Sequence, residues 1–492
     1  MCQLGEAGFS NRIGVQTTCY KTFVHKALAF LLASLAMTPL AVADRFSVHG
    51  TASVDAAVTD NVFSAQFGNR EGDLFFTVRP GALLTYALPR MIHELNAEVE
   101  LSRYAAHADQ PTVAFRGGWK ALFLPGPRSE VMLLANASRS ILSAISAASI
   151  PSETTVILQP IGQVDVTSGD FTEYGSWTAT REIRLSQSLF ARAGKTDDNA
   201  EAETIVTSAE AGGSFGLDRS FLKNTLSLEV GASVLRLERT AEPGAPMGPR
   251  LDRQINPRVR VQWRRDWSRR LSSAVNGGLA IVIPYGVDPY NPDVKRHTGT
   301  FPIVGAQGAY TDVWGIATLQ VGRDVTPNLF VAANTVNDTA SLAAAIPLYW
   351  LEDNRRRQPR LAGVASLGLS RTQLIQQGTS TLQSEFIVAR TDVGLQYAPR
   401  PGVTYTARYE FMYQSSDRGD TTTIAMPQAG FVRNTVYVTA ALRFPADVAA
   451  RVPKRRAGSV RSDRKDLAPM GAEPVIPDLV ESGSEGGSEG GE

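Results

Sequence analysis

Residues 432–444 read VRNTVYVTAALRF, and this stretch decides the fold. Every second residue from Val432 to Phe444 is apolar, with Asn434 as the exception, and the residues between them are mostly polar, including Arg433 and Arg443. A period of two places these sets on opposite faces of a β-strand. The stretch is about as long as a tilted membrane-spanning strand, which needs about 10 residues. It therefore predicts one strand of a membrane barrel.

The same alternation recurs upstream, in residues 403–414, 255–266 and 74–88. Counting such segments between Arg45 and Phe444 gives roughly 16 to 18 strands, and bacterial barrels have even strand numbers. The weakest of these segments are residues 156–166 and 340–352. We predict an all-β protein whose residues 44–444 form a transmembrane antiparallel β-barrel in the outer membrane of a Gram-negative bacterium.

Alternation alone would also fit a soluble β-sandwich, but three further features favour the membrane barrel. Tyrosine and tryptophan gather near the ends of the apolar faces, as interfacial girdles do, at Tyr86, Trp263, Tyr397 and Tyr413. The closing strand ends in the aromatic Phe444, a signal that resembles the one read by the barrel-assembly machinery.

The third feature is that predicted connections alternate between short and long, the asymmetry expected of periplasmic turns and extracellular loops. The predicted short connections are Pro89-Arg90, Pro125–Arg128, Asp218–Ser220, Asp266–Arg269, Asp324–Asn328 and Ala398–Gly402. The predicted long ones are Ile141–Gly169, Arg239–Arg253, Pro284–Pro302 and Ser415–Gly430.

The two ends of the chain differ from the barrel. Residues 1–43 combine basic residues, an apolar run from Ala27 to Met37 and the small pair Ala41 and Ala43, which predicts a cleaved signal peptide. Both cysteines, Cys2 and Cys19, lie in that segment, so the mature chain is expected to have none. Residues 445–492 end in a Gly/Ser/Glu repeat that has no apolar residues to bury, and we predict a disordered periplasmic tail.

Composition excludes several function classes. The chain has 49 Lys+Arg against 48 Asp+Glu, a net charge of +1, which argues against a nucleic-acid partner. An apolar fraction of 43% excludes a disordered chain. We expect no cofactor and no metal site, although the Pro-rich loop that holds Asp288, Asn291 and Asp293 offers oxygen atoms that could hold calcium.

The polar faces of the predicted strands carry charges of both signs, which we expect to line the lumen. Threonine and tyrosine on the same faces would offer the weak contacts that suit a glycan as well as a small solute. The predicted pore-lining residues are Arg79, Glu98, Glu100, Arg258, Arg260, Arg264, Arg390, Asp392, Arg408, Glu410, Arg433, Tyr437 and Arg443.

One catalytic pattern occurs, Gly212-Gly213-Ser214-Phe215-Gly216, which matches a serine-hydrolase elbow. The elbow requires a strand-to-helix turn, whereas another strand is expected here. We therefore predict a non-enzyme and keep a barrel-embedded lipid hydrolase as the enzymatic alternative.

Residues 52–65 (ASVDAAVTDNVFSA), 72–89 (GDLFFTVRPGALLTYALP) and 95–107 (LNAEVELSRYAAH) resemble outer-membrane β-barrel proteins associated with exopolysaccharide biosynthesis and export systems of Gram-negative bacteria. In that family, a pair like Asp60-Asn61 closes the first loop and a pair like Pro80-Gly81 interrupts the second strand. The resemblance implies export of a secreted polysaccharide across the outer membrane, beside a periplasmic polysaccharide-export protein. A general diffusion porin for small solutes is the alternative.

Overall fold

The computed structural model is a closed barrel of 18 antiparallel β-strands in which every strand pairs with its neighbours along the chain. It describes residues 46–62, 70–106, 112–142, 164–196, 204–241, 249–290, 292–293, 296–328, 333–348, 360–375, 382–400, 402–417 and 430–444. The strands are β1 Phe46–Thr59, β2 Asp73–Leu88, β3 Met91–Tyr104, β4 Thr112–Gly126, β5 Ser129–Leu142, β6 Val164–Thr178, β7 Ile183–Thr196, β8 Thr204–Phe221, β9 Asn224–Ala241, β10 Arg250–Asp266, β11 Leu271–Pro284, β12 Gly299–Asp312, β13 Gly315–Asn328, β14 Ala333–Pro347, β15 Leu361–Ile375, β16 Leu382–Arg400, β17 Val403–Asp417 and β18 Phe431–Phe444.

The barrel closes where β1 pairs with β18, from Gly50 opposite Phe444 to Thr59 opposite Thr435. This pairing places the start of β1 and the end of β18 at the same end of the barrel. That end also holds the tight turns, so it is the periplasmic end. The prediction of a transmembrane antiparallel β-barrel of roughly 16 to 18 strands is confirmed.

Four of the six predicted short connections overlap tight turns of the structure, and two are displaced. Asp218–Ser220 and Asp324–Asn328, predicted as turns, lie inside β8 and β13, and this prediction was wrong. The turns are Leu222-Lys223, where Leu222 has a φ of 54°, and Val313-Trp314, which Gly315 follows with a φ of 137°. Leu222, Val313 and Trp314 are exposed apolar residues in these turns, so the usual polar turn signal is weak there.

One connection at the periplasmic end is long. β14 ends at Pro347 and β15 begins at Leu361, so residues 348–360 join them at the end where short turns were expected. The strict alternation of short and long connections was therefore wrong at this position. Residues 349–359 of this connection lie outside the described residues.

The outer face of the barrel is apolar and exposed. Val54 and Val58 in β1, for example, are 36% and 56% exposed. Asp55, which follows Val54, and Thr59, which follows Val58, point to the other face and are 6% and 2% exposed. Trp177, Trp263, Tyr310 and Tyr397 are exposed on the same outer surface near the periplasmic end. A closed barrel with an apolar band and an aromatic girdle is the architecture of outer-membrane proteins. The protein is a β-barrel of the Gram-negative outer membrane, as predicted.

Several predictions concern residues that are not described. The signal peptide, residues 1–43, the tail, residues 445–492, and most of the weak segment 156–166 lie outside the described ranges. The weak segment 340–352 is described as far as Leu348, and β14 includes it to Pro347. Within the described ranges, no helical segment has the length and apolar character needed to cross a bilayer.

Among the described residues, the wall is split between β12 and β13. Their pairing runs from Asp312 opposite Gly315 to Val304 opposite Arg323 and then stops, although both strands continue toward the extracellular end. Pairing of β13 with β14 continues to Asn328 opposite Ala333. We call the unpaired edges, Gly299–Ile303 and Asp324–Asn328, the seam.

Candidate functional site

The candidate site is the inner wall of the barrel. Strand register places all thirteen predicted pore-lining residues on the face opposite the exposed apolar residues. Placement on this face is set by the period of two along each strand. The thirteen residues do not form one cluster, because they fall into groups on β2–β3, β10 and β16–β18.

The first group spans β1 to β4. Arg79 Nε donates to Glu100 Oε2 at 2.8 Å, and Arg79 Nη1 forms an ion pair with Asp55. Arg116 Nη2 lies 3.6 Å from the same Glu100 oxygen. Glu98 lies opposite Arg116 in the β3–β4 register. Asp55 and Arg116 were not predicted, although each sits on the polar face of an alternating segment.

The second group spans β16 to β18 and is buried more deeply. Arg390 Nη2 lies 2.8 Å from Glu410 Oε2, and Arg433 Nη2 donates to Glu410 Oε1 at 3.1 Å. Glu410 and Arg433 have no solvent exposure at all. Arg408 Nη1 lies 3.4 Å from Asp392 Oδ2. A buried carboxylate held by two guanidinium groups fixes the wall rather than contacting a solute.

Tyr437 belongs to both this group and an apolar cluster inside the barrel. The Arg408 guanidinium lies 5.1 Å from the centre of its ring. The ring also packs edge-on against Phe75, 6.3 Å between centroids, in a cluster that includes Ala57, Val62 and Tyr104. Tyr437 therefore packs within the wall, and it is 9% exposed.

The third group is an arginine column on β10. Arg258 Nη2 lies 3.6 Å from Glu229 and Arg264 Nη2 lies 3.5 Å from Asp266. Arg260 Nη2 lies 3.7 Å from Asp324, a residue of β13, three strands away. The remaining predicted residue, Arg443, lies on the inner face of β18 opposite Thr51, near the periplasmic end.

The ion pair between β10 and β13 reflects an inward fold of the β13–β14 hairpin. On one face of β14, Leu342 and Ile346 are 46% and 48% exposed, but Val336, on the same face higher up, is only 2% exposed. Val336 packs against Val282 and Phe301, which lie on the inner face of β11 and β12. Above the seam, the outer face of the hairpin therefore covers the inner face of its neighbours. We call the described part of this hairpin end, residues 324–328 and 333–339, the tuck.

The tuck also contacts β10 on the extracellular side of the arginine column. Asn334 Nδ2 donates to Gln254 Oε1 of β10, and Asn337 Nδ2 donates to Thr326 Oγ1 at 2.5 Å within the tuck. These contacts place the tuck inside the lumen beside β10. The tuck therefore narrows the passage, and the alternating sequence pattern did not predict it.

The inner face of β11–β15 differs from the rest of the wall. Register assigns it small, hydroxyl and amide residues, including Asn276, Gln307, Gln320, Ser341 and Ser366. Asp324 is the one charged residue on this face among the described positions. We call β11–β15 the uncharged sector.

Asp60 and Asn61, the pair that the resemblance placed at the first loop, complete the barrel closure. The Asn434 backbone N–H and side-chain Nδ2 donate to the two Asp60 carboxylate oxygens at 2.7 and 2.6 Å. Asn61 Nδ2 donates to the Val432 carbonyl at 3.0 Å. Tyr409 also donates to Asn434, at 2.7 Å. Asn434, the one polar residue on the outer face of β18, therefore joins this strand to the loop after β1.

The other chemical patterns do not assemble into sites. Ser214 lies in the middle of β8, and its hydroxyl shares a 2.8 Å hydrogen bond with Ser188, which is not a general base. Asp288 lies 3.5 Å from Arg296 and accepts the Tyr290 N–H at 3.0 Å, so its carboxylate is held by protein groups. Asn291 lies outside the described residues. No group of three metal-ligating side chains occurs in the part of the chain that is described.

The likeness of this chain to known proteins is weak. No protein-family model and no curated protein matches this sequence. The crystal structure of Acinetobacter baumannii OccAB3 has a TM-score of 0.41 and 8% identity, with 82% of this chain and 100% of that chain covered.

Two further structures give similar values. OpdK of Pseudomonas aeruginosa, solved with vanillate, has a TM-score of 0.40 and 9% identity over 81% of this chain and 99% of that chain. The alcaligin outer-membrane receptor FauA of Bordetella pertussis has a TM-score of 0.40 and 11% identity over 80% and 76% of the two chains. These scores are too low to transfer a function.

Proposed function

We propose that this barrel is a passive outer-membrane channel for hydroxyl-rich solutes and that its solute is a secreted polysaccharide. The uncharged sector carries this proposal. A barrel of 18 strands is wide enough to enclose an aqueous lumen. A polymer moves through such a lumen when many weak contacts hold it and release it, and hydroxyl and amide side chains provide contacts of that kind.

The charged part of the wall is compatible with the same solute. Many of its guanidinium groups lie at hydrogen-bond or ion-pair distances from carboxylates, as in the group around Glu410. Matched charges leave little field to attract or repel a passing ion. The wall would therefore not select strongly for charged solutes. The resemblance of residues 52–107 to exopolysaccharide-associated barrels supports the choice of a polysaccharide.

The test is deletion of the gene, followed by measurement of carbohydrate in the periplasmic and extracellular fractions. We expect extracellular polymer to fall and periplasmic polymer to accumulate. Complementation with Ser341→Trp, which fills the uncharged sector, should fail to restore secretion. The matched control is Leu342→Trp, the neighbouring residue on the lipid-facing side, which should restore it. Unchanged secretion in the deletion strain would refute polysaccharide export.

A general diffusion porin for small solutes is the second candidate, because the tuck narrows the lumen beside Arg260. A narrow point favours small solutes over polymers. In this case the deletion strain would secrete polymer normally but take up small sugars more slowly, which radiolabelled uptake would detect. Uptake and secretion therefore separate the two candidates.

A further inference from the structure

Two arginine residues lie side by side on the outer face of the barrel. Arg236 in β9 is directly opposite Arg253 in β10. Both follow the period of two that puts Val234 and Ile255 on the outer face, where these residues are 48% and 40% exposed. Directly opposite residues have Cβ atoms about 5 Å apart, so like charges at such positions repel each other. We call Arg236 and Arg253 the arginine pair.

The arginine pair lies at the extracellular boundary of the apolar band. Arg253 is ten residues from Trp263, a residue of the aromatic girdle at the periplasmic end of the same strand. At about 3.3 Å per residue and a tilt of about 40°, this distance is about 25 Å along the barrel axis. The apolar band of such barrels is also about 25 Å tall. The arginine pair is therefore at the depth of the lipid head groups of the outer leaflet.

The charge of the arginine pair is only partly compensated. Arg236 Nη2 donates to Glu238 Oε2 at 2.7 Å, and the Arg236 side chain is still 55% exposed. No ion pair joins Arg253 to a carboxylate of the described residues. Two guanidinium groups therefore face one carboxylate, which leaves an excess positive charge. An anion that contacts both guanidinium groups would offset their repulsion.

Two other arginines on the outer face have complete partners. Arg323 donates to Asp338 through Nε and Nη2 at 2.6 and 2.7 Å, and Arg371 donates to Glu385 at 2.6 Å. Charged side chains on a lipid-facing surface are costly unless they are matched. In these two ion pairs the protein supplies the matching charge itself. At the arginine pair, the matching charge has to come from a ligand.

The surroundings of the arginine pair fit the phosphate group of a lipid. A planar guanidinium group donates two parallel hydrogen bonds to phosphate oxygens. Tyr285, whose backbone N–H donates to the Arg253 carbonyl at 2.9 Å, is 40% exposed and offers a hydroxyl beside the pair. Toward the membrane, Val234, Ile255 and Ile283 present an exposed apolar surface to acyl chains. A soluble anion would gain nothing from this surface, so the combination favours a phosphorylated lipid.

We propose that the arginine pair binds a phosphate group of an outer-leaflet lipid, whose acyl chains lie on the apolar outer surface of β9–β11. Such a lipid would hold the extracellular end of the barrel at a fixed depth in the membrane. The site is on the outside of the wall, separate from the lumen. The proposal therefore does not depend on which solute the channel carries.

Binding is measured by native mass spectrometry of the purified full-length protein in detergent, titrated with bisphosphorylated lipid A. We expect a saturable adduct of one lipid with the wild type. Arg253→Gln removes the guanidinium that lacks a carboxylate partner among the described residues, and it should weaken binding about tenfold. Lipid A without its phosphate groups should bind the wild type about tenfold more weakly as well. Glu238→Gln removes the carboxylate that competes for Arg236 and should strengthen binding.

The matched control is Arg371→Gln, which makes the same change of charge on the outer face. Arg371 is ten residues from Leu361, which lies opposite the girdle residue Tyr397, so its depth is similar. This variant should bind lipid A as the wild type does, and the heat-modifiable gel shift checks that each variant is folded. Equal binding by Arg253→Gln and the wild type would overturn the proposal. An equal loss in Arg371→Gln would also overturn it, because net charge would then be the cause. Equally tight binding of deacylated lipid A would show that the ligand is a soluble phosphate rather than a lipid.

Discussion

Strands β16–β18 and β1–β4 hold inner-face charges in ion-pair groups, whereas β11–β15 carry one inner-face charge, Asp324, within the described ranges. Both regions are built on the same alternating strand pattern and the same register. The difference separates a region that stabilises the wall from the region that contacts the solute in the proposed function. The paired charges fix the strands across the barrel closure, while the uncharged sector leaves a surface of weak contacts for a solute.

The largest expected effect on stability comes from breaking the buried ion-pair group around Glu410. Glu410→Ala removes the carboxylate that holds Arg390 and Arg433 and leaves a guanidinium in a site without solvent exposure. We expect a loss of about 3–5 kcal/mol in the free energy of unfolding. Urea titration of the protein in vesicles, followed by the heat-modifiable gel shift, measures it. Glu229→Ala removes the partly exposed inner-face pair with Arg258 and should cost at most about 1 kcal/mol. Equal losses of unfolding free energy in the two variants would show that burial of Glu410 does not determine the size of the effect.

A charge added to the uncharged sector should change ion selectivity. Gln320→Arg places a guanidinium on the inner face of β13, opposite Gln307. A unit charge about 10 Å away in water lowers the energy of an anion and raises that of a cation by about 0.4 kcal/mol each, which together change the anion-to-cation permeability ratio about fourfold. The reversal potential in a salt gradient measures this ratio. Gln320→Asn is the neutral control, and its anion-to-cation permeability ratio should equal that of the wild type.

Loosening the tuck should widen the passage slightly. Asp324→Ala removes the 3.7 Å ion pair with Arg260, which is a partly exposed contact worth about 0.2–1 kcal/mol. Single-channel conductance should rise modestly because the tuck moves away from β10. Asp266→Ala is the control, because it removes a pair with Arg264 that does not involve the tuck. A rise of the same size in both variants would mean that charge, rather than the tuck, sets conductance.

The smallest effect is expected at Ser214. Ser214→Ala removes one hydrogen bond to Ser188, and a hydrogen bond contributes about 1 kcal/mol to stability. Channel activity and any background lipid hydrolysis should not change. A loss of measurable hydrolysis in this variant would restore the enzymatic alternative.

The strand pattern is local and was readable from the sequence, whereas the seam depends on contacts that the pattern does not encode. The alternation in residues 432–444 predicted β18 and the inward side of Arg433. It could not show that Asn434 binds Asp60, because those residues are distant in the chain. The tuck was hidden for a related reason, since Val325 and Val336 have the spacing of lipid-facing residues. Pro302 and Pro327 were the available signals that the ladder stops there.

Planar-bilayer recording of the purified full-length protein tests most directly whether the lumen is an open channel with little ion selectivity. We expect discrete, ohmic conductance steps with a reversal potential near zero in a salt gradient, and reversible block when neutral oligosaccharides are added. Absence of conductance steps in protein that shows the heat-modifiable gel shift of a folded barrel would contradict the claim.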